Sequence, residues 1–206
     1  MQIGHTQSSS AIKLNKASSS EASDESLIRS MADGDKRAFK MLYARHHVRI
    51  FRFVMRLVGN ESTAEEVVNE VFLEAWRHAD DFKGRSQVST WLLSIARFKT
   101  ISECRRRSDA QLDEAVAAII EDPSDTATIT IEKRERSDIL QRCLAKLTPP
   151  HREVINLVYY QEKKIEEVAQ FTGAPVSTIK TRMHYARGRL AELLAEAGVD
   201  GAWAII

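Results

Sequence analysis

Residues 165–190 read IEEVAQFTGAPVSTIKTRMHYARGRL, and few folds satisfy their spacing. The small residue Ala169 suits a place where two helices cross closely. The turn residue Gly173 follows four positions later, and the apolar Ile179 six beyond that. Those intervals predict a first helix, a tight turn and a second helix at a steep angle, the helix-turn-helix arrangement. The second helix carries Lys180, Arg182, Arg187 and Arg189, interleaved with Ser177, Thr178, Thr181, His184 and Tyr185, and meets no carboxylate before Glu192. Cations at that density reach phosphates, while hydroxyl and imidazole groups can read base edges. Most charge runs are solvated faces of amphipathic helices. Here the small residue, the turn and the cations fall in one register, which favours a helix that lies on DNA.

The chain has 206 residues and a formal net charge of only +1, so a global basic excess is not the signal. Its distribution is. Residues 36–60 hold seven Lys or Arg and no carboxylate, and residues 61–81 hold seven carboxylates against Arg77 alone. Residues 83–107 are basic again, and residues 109–132 hold seven carboxylates and no Lys or Arg. This alternation predicts separate electrostatic faces, some meeting DNA and some a basic protein partner. The length accommodates one medium domain or two small ones.

Periodicity of about 3.6 recurs from residue 24 to residue 107, and no segment alternates with period two, so the expected class is all-α. Residues 24–31 begin like a capped helix. In residues 36–58 the apolar positions Phe39, Leu42, Tyr43, Ile50, Phe53, Val54 and Leu57 mark a core face, Arg45, Arg49, Arg52 and Arg56 share another, and Gly59 ends the helix. Residues 61–82 form the next helix, with Val67, Val68, Val71, Phe72, Ala75 and Trp76 inward. Residues 82–87 (FKGRSQ) read as a loop. A helix over residues 89–107 places Trp91, Leu92, Ile95, Ala96 and Ile101 inward and the cations outward. Helicity returns over residues 131–147, and a helix from Pro150 to Tyr160 feeds the helix-turn-helix. The resulting division is a disordered, Ser-rich arm (1–23), a first helical domain (24–107), a flexible acidic linker (108–137), a second helical domain (138–194) and a tail (195–206) ending in Ala202-Trp203-Ala204-Ile205-Ile206.

Enzymatic signatures are missing from the pattern: no glycine-rich phosphate loop, no metal-ligand spacing, and no cofactor motif. Cys104 and Cys143 lack the pairing of a zinc site or disulfide framework, which points to a reducing, cytoplasmic setting. No apolar run approaches the ~20 residues that cross a bilayer. His46 and His47 read as helix-surface residues, and His151 with Glu153 as helix-end chemistry.

Two blocks, STWLLSIARFKTISECRRR and LTPPHREVINLVYYQEKKIEEVAQFTGAPVSTIKTRMHYARGRL, together with AEEVVNEVFLEAW over residues 64–76, resemble an extracytoplasmic-function (group four) bacterial sigma factor from residue 24 to residue 194. The resemblance implies a factor that binds core RNA polymerase and directs promoter-specific initiation, under anti-sigma control in response to stress. By the same resemblance, Glu65, Glu66, Asn69, Glu70 and Glu74 dock on the coiled coil of the polymerase beta-prime subunit, and the beta flap is a further polymerase contact. The loop Lys83, Gly84, Arg85, Ser86 and Gln87 would catch a base flipped from the minus ten element, an extrusion that costs a few kcal/mol. Trp91, Arg97, Phe98, Lys99, Arg105 and Arg106, with Arg107, would hold the opened strands, Trp91 being better placed in the core than as a stacking platform. Ser177, Thr178, Lys180, Thr181, Arg182, His184, Tyr185 and Arg187 would meet the minus thirty-five element. The acidic linker would thread toward the active-centre cleft, either as a nucleic-acid mimic or as a self-repelling spacer. The chain departs from the usual pattern at Asn69, where Gln is common, and at Phe98, where Asn is common. The alternative readings are a stand-alone helix-turn-helix regulator, which would bind duplex operator by itself, and a metal-dependent DNA-acting enzyme.

Overall fold

The computed structural model describes residues 22–110 and 131–199, with side chains described for 22–107 and 138–199. The expected arm up to residue 21, the central acidic stretch 111–130 and the apolar end 200–206 lie outside the described residues. Among those described there are eight α-helices, one π-helical turn and no strand.

Helix starts and stops follow local chemistry. α1 (Asp24–Ala32) begins where the Ser23 hydroxyl accepts from the Ser26 N–H at 3.2 Å. α2 (Lys36–Val58) is capped by Asp35, whose carboxylate accepts from Arg37 N–H at 2.7 Å, and stops at Gly59, φ 70°, in the left-handed region that glycine occupies without a Cβ penalty. α3 (Glu61–Arg77) is capped by Asn60 through the Thr63 N–H at 2.9 Å, and ends five residues before the residue 82 expected from periodicity. α4 (Val88–Ala110) continues past residue 107, and α5 (Ile131–Ala145) begins inside the stretch expected to be linker.

α1 to α4 form one helical lobe. Leu27, Ile28 and Met31 of α1, Leu42, Ile50, Phe53 and Val54 of α2, Val67, Val71 and Phe72 of α3, and Leu92, Leu93 and Ala96 of α4 are buried together. Phe39, Tyr43, Phe72 and Trp76 close one end of this core with ring centroids 4.7–6.4 Å apart. At the other end Trp91 packs on Phe82 at 5.1 Å, half-buried, as its apolar neighbours suggested.

The histidine pair departs from expectation. His46 is buried, its Nε2 2.6 Å from a carboxylate oxygen of Asp24, which Arg45 also contacts at 2.9 Å. His47 instead stacks on Tyr43, 4.9 Å between ring centroids. The partner of His46 lies 22 residues upstream, beyond the reach of local pattern.

The second lobe starts at α5. Thr148 precedes α6 (Pro149–Ile155), where Pro149 and Pro150 occupy first-turn positions that have no N–H to satisfy. Asn156–Tyr160 continue it as a π-helical turn, closed by Glu162 at φ 53°, a left-handed terminator that is not glycine. α7 (Ile165–Thr172) starts with the Glu167 carboxylate accepting from the Lys164 N–H at 2.8 Å and stops at Gly173, φ 71°. α8 (Val176–Glu196) follows after a three-residue turn and packs on α6, α7 and α5 through Ile179, Met183, Ala186 and Leu193.

Candidate nucleic-acid interface

The helix-turn-helix forms as its spacing predicts. Ala169 and Val168 of α7 are buried beside Ile179 of α8, so the small residue permits the crossing. With Ile179, Met183 and Ala186 facing inward, residues three and four apart on the other side of α8 align. Ser177, Lys180, Thr181, His184, Tyr185 and Arg187 are exposed, and Thr178 and Arg182 half-exposed. The Tyr185 ring is 62 % exposed, an unusual position for an aromatic side chain unless it has something to meet. His184 lies edge-on to it at 5.5 Å, and Arg187 sits 5.6 Å from the Tyr159 ring. Only the C-terminal end of α8 is self-compensated, by Arg189 with Glu192 at 2.8 Å.

On α3, Glu65, Glu66, Asn69 and Glu70 are exposed along one face, with Leu73 (47 % exposed) among them. Glu74 is half-buried. The loop after α3 exposes Lys83, Gly84, Arg85, Ser86 and Gln87. Gly84 sits at φ 66°, so the tight reversal there depends on a residue without a side chain. Lys83 Nζ donates to the Asp80 carbonyl at 3.1 Å, while the Gln87 carbonyl accepts from Thr90 and Trp91 N–H groups and starts α4.

The cations expected to serve DNA on α4 are not equivalent. Lys99 reaches back to Glu74 at 3.3 Å and Glu70 at 3.7 Å, and its ammonium holds the Glu74 carboxyl below its ordinary pKa. Arg106 and Arg107 both bind Glu103, at 2.9 and 3.2 Å. Arg97 turns to the second lobe, where its Nε donates to Glu153 at 2.6 Å. Arg105 and Phe98 remain exposed.

That Arg97–Glu153 pair belongs to a set of contacts that residue spacing did not reveal. Glu153 is 7 % exposed, and its partner explains how a carboxylate stays buried. Around it, Arg49 Nε donates to Gln161 at 2.8 Å, Asn156 Nδ2 to the Phe53 carbonyl at 3.0 Å, and Lys163 Nζ to Thr90 at 3.2 Å. Arg152 donates to the Leu57 carbonyl at 2.8 Å, where burial pushes its guanidinium pKa down. The Arg56 guanidinium lies over the Tyr160 ring at 3.8 Å. The arginine face of α2 therefore meets protein, through Arg49 and Arg56, and Glu153 is a bridging residue rather than part of helix-end chemistry. The one detectable signal was a carboxylate followed directly by the apolar Val154 and Ile155.

No group of three or more His, Cys, Asp or Glu residues among those described is placed to hold a metal ion, and none of the described helices is long and apolar enough to cross a membrane. Two helical lobes, one ending in an exposed basic helix-turn-helix and the other carrying an acidic face beside a cationic helix, define a DNA-binding protein with a second, protein-directed surface. Comparison with known families refines this class. Sigma-70 region 2 matches residues 42–110, and Sigma-70, region 4 matches residues 137–190. The extracytoplasmic-function RNA polymerase sigma factor SigW of Bacillus subtilis is 31 % identical over 82 % of this chain and 95 % of its own length. SigK of Mycobacterium tuberculosis strain H37Rv is 31 % identical over 77 % of this chain and 87 % of its own. Among solved structures, the sigma factor RpoE in complex with the anti-sigma factor NepR from Bartonella quintana aligns with a TM-score of 0.64 at 25 % identity, covering 76 % of this chain and 96 % of that one. CnrH in complex with the cytosolic domain of CnrY aligns at 0.61 and 28 % identity, covering 84 % and 97 %. The chain belongs to the extracytoplasmic-function sigma factors, which bind core RNA polymerase and direct promoter-specific transcription initiation.

Proposed function

We propose that the two lobes divide initiation between them. The first lobe docks the acidic face of α3, through Glu65, Glu66, Asn69 and Glu70 with Glu74 at its edge, on the coiled coil of the beta-prime subunit. It then holds the opened minus ten element with the 83–87 loop and α4. The second lobe lays α8 on the minus thirty-five duplex and engages the beta flap. The division 24–107 and 138–194, with the acidic stretch between them leading toward the active-centre cleft, serves this arrangement. The observation that carries it is the exposed face of α8, cationic and rich in hydrogen-bonding side chains, on the same chain as an exposed anionic face of α3.

The factor works in the cytoplasm with the polymerase, which supplies all catalysis. Its activity is held by an anti-sigma factor that releases it under stress, a reading supported by the likeness to sigma factors solved with such partners. Adding the purified chain to core polymerase should produce transcription starts at a new, shared set of promoters, and the chain alone should bind those duplexes weakly. Tight operator binding without polymerase, at ~10 nM or better, combined with no new starts, would refute the assignment in favour of a stand-alone regulator.

A further inference from the structure

α4 spends three of its faces on protein and leaves a fourth open. Leu92, Leu93, Ala96 and Thr100 enter the core, Lys99 bonds α3, and Arg97 bonds the second lobe. With about 100° per residue, Trp91, Ser94, Phe98, Ile101 and Arg105 fall within an arc of about 80° on the remaining side. Along that line Trp91 is half-buried against Phe82, Phe98 is 70 % exposed, Ile101 is 44 % exposed and Arg105 is exposed. Arg105 makes no ion pair among the described residues. Phe98 has the greatest fractional exposure of the large apolar side chains described, and it stands on a helix that ends in three arginines. The 83–87 loop lies at the N-terminal end of the stripe.

We infer that Phe98 is a stacking platform for one unpaired base of the opened strand, with Arg105 holding a phosphate further along. The inference rests on the reading above that this end of the first lobe meets the opened minus ten element. A protein partner would ask for a wider apolar patch. Phe98 and Ile101 instead form a narrow strip between the exposed Ser94 and the Arg105 cation, wide enough for a single ring to lie flat. Arg105 lies about 10 Å further along the helix at 1.5 Å per residue, within the span of a short run of backbone.

Two properties follow from the ring itself. Phe98 has no donor or acceptor, so it discriminates poorly among bases, in contrast to Ser86 and Gln87, which can bond a base edge. A base inside intact duplex has both faces covered by its neighbours, so the platform is available only after opening. It therefore holds the melted state and adds nothing to recruitment.

The test uses the full chain assembled with core polymerase on a promoter carrying 2-aminopurine at successive positions of the opened non-template strand. Wild type and Phe98→Trp should quench one position and open the duplex equally well. Phe98→Ala and Phe98→Leu should leave that position bright, lower open-complex yield about tenfold, and weaken binding to a pre-melted bubble by a similar factor. Assembly with core polymerase and the thermal melt should not change, since the side chain faces outward. If Phe98→Leu opens promoters and quenches as wild type does, stacking is wrong. If the Phe98 variants fail to assemble with core polymerase, the strip is a protein contact and the inference also falls. Replacing Ser86 and Gln87 with Ala in parallel separates the layers. Loss of opening there with none at Phe98 overturns the platform alone, while normal opening in both sets removes the assignment of this whole edge to melted DNA.

Discussion

α4 and α8 are both basic helices of 23 and 21 residues, yet they spend their charge differently. On α8, Lys180, Arg182 and Arg187 stand without a carboxylate on the same face, because the first one in that helix is Glu192. On α4, Lys99, Arg97, Arg106 and Arg107 each bond a carboxylate, two of them on other elements and one on the other lobe. A run of cations in a sequence therefore does not state whether it serves a ligand or the fold. What decides is whether carboxylates stand within reach, three or four residues away or on a neighbouring helix. α8 reads as an interface because it touches its own lobe through one apolar stripe. α4 is wedged between two neighbours and uses most of its cations to hold them.

If this contrast is correct, removing a cation's partner should disturb structure at α4 and removing a cation should disturb binding at α8. The largest effect is expected for Glu153→Ala, which leaves Arg97 opposite an empty site. Breaking a buried pair costs about 3 kcal/mol, so the lobes should separate. Small-angle scattering should report a larger radius of gyration and calorimetry a lower melting temperature; an unchanged radius would erase the distinction. Next in size is the polymerase face. Glu66→Lys with Glu70→Lys should reduce capture of core polymerase by roughly tenfold, or about 1.4 kcal/mol, with an unaltered melt because both side chains are exposed.

Smaller again are the α8 variants. Lys180→Ala and Arg187→Ala should each weaken upstream-element binding by a similar factor on any sequence and reduce the salt slope by about 1. Thr181→Ala and His184→Ala should shift the preferred sequence instead. One selected consensus shared by all four variants would show that α8 does not divide its contacts in this way.

The smallest effect concerns Asp24. Burial alone would raise its pKa, but hydrogen bonds and charge from Arg45 and His46 together hold it below the ordinary carboxylate value. A depressed folded pKa gives stability that is complete above the unfolded value and fades as pH falls through the folded one. Asp24→Asn should therefore lower the melting temperature by about 1–2 °C near pH 7, as expected for a partly exposed pair, and converge with wild type near pH 3. A difference that persisted at low pH would assign the effect to the hydrogen bonds alone.

The parts that could be read from sequence were those governed by neighbours along the chain. Gly59 and Gly173 end α2 and α7 because each takes a left-handed conformation, and Asn60 starts α3 with its own side chain. The exposed α8 residues follow from a period of 3.6 against Ile179, Met183 and Ala186. Illegible parts depend on pairs far apart in sequence. Arg97 meets Glu153 across 56 residues, Asn156 meets Phe53 across 103, and Arg49 meets Gln161 across 112. Periodicity assigns a polar residue to an outer face without saying that another lobe covers it. The π-turn was also hidden, since it places Tyr160 and Gln161 over α2 by adding one residue to a helical turn.

The contacts that join the lobes also limit their reach. On the proposed reading the two promoter elements lie about 25 base pairs apart, or about 85 Å at 3.4 Å per pair. A chain of this length folded into one compact body has a radius of gyration near 17 Å and spans about 45 Å. In the joined form the protein is too short a ruler to touch both marks. Polymerase must select the rare parted form, and the affinity it sees is the intrinsic one multiplied by the fraction of molecules already parted. Arg97–Glu153 and its neighbours thus set a threshold for initiation: every tenfold change in that equilibrium shifts the apparent affinity for polymerase tenfold in the same direction, with no residue altered at either docking face.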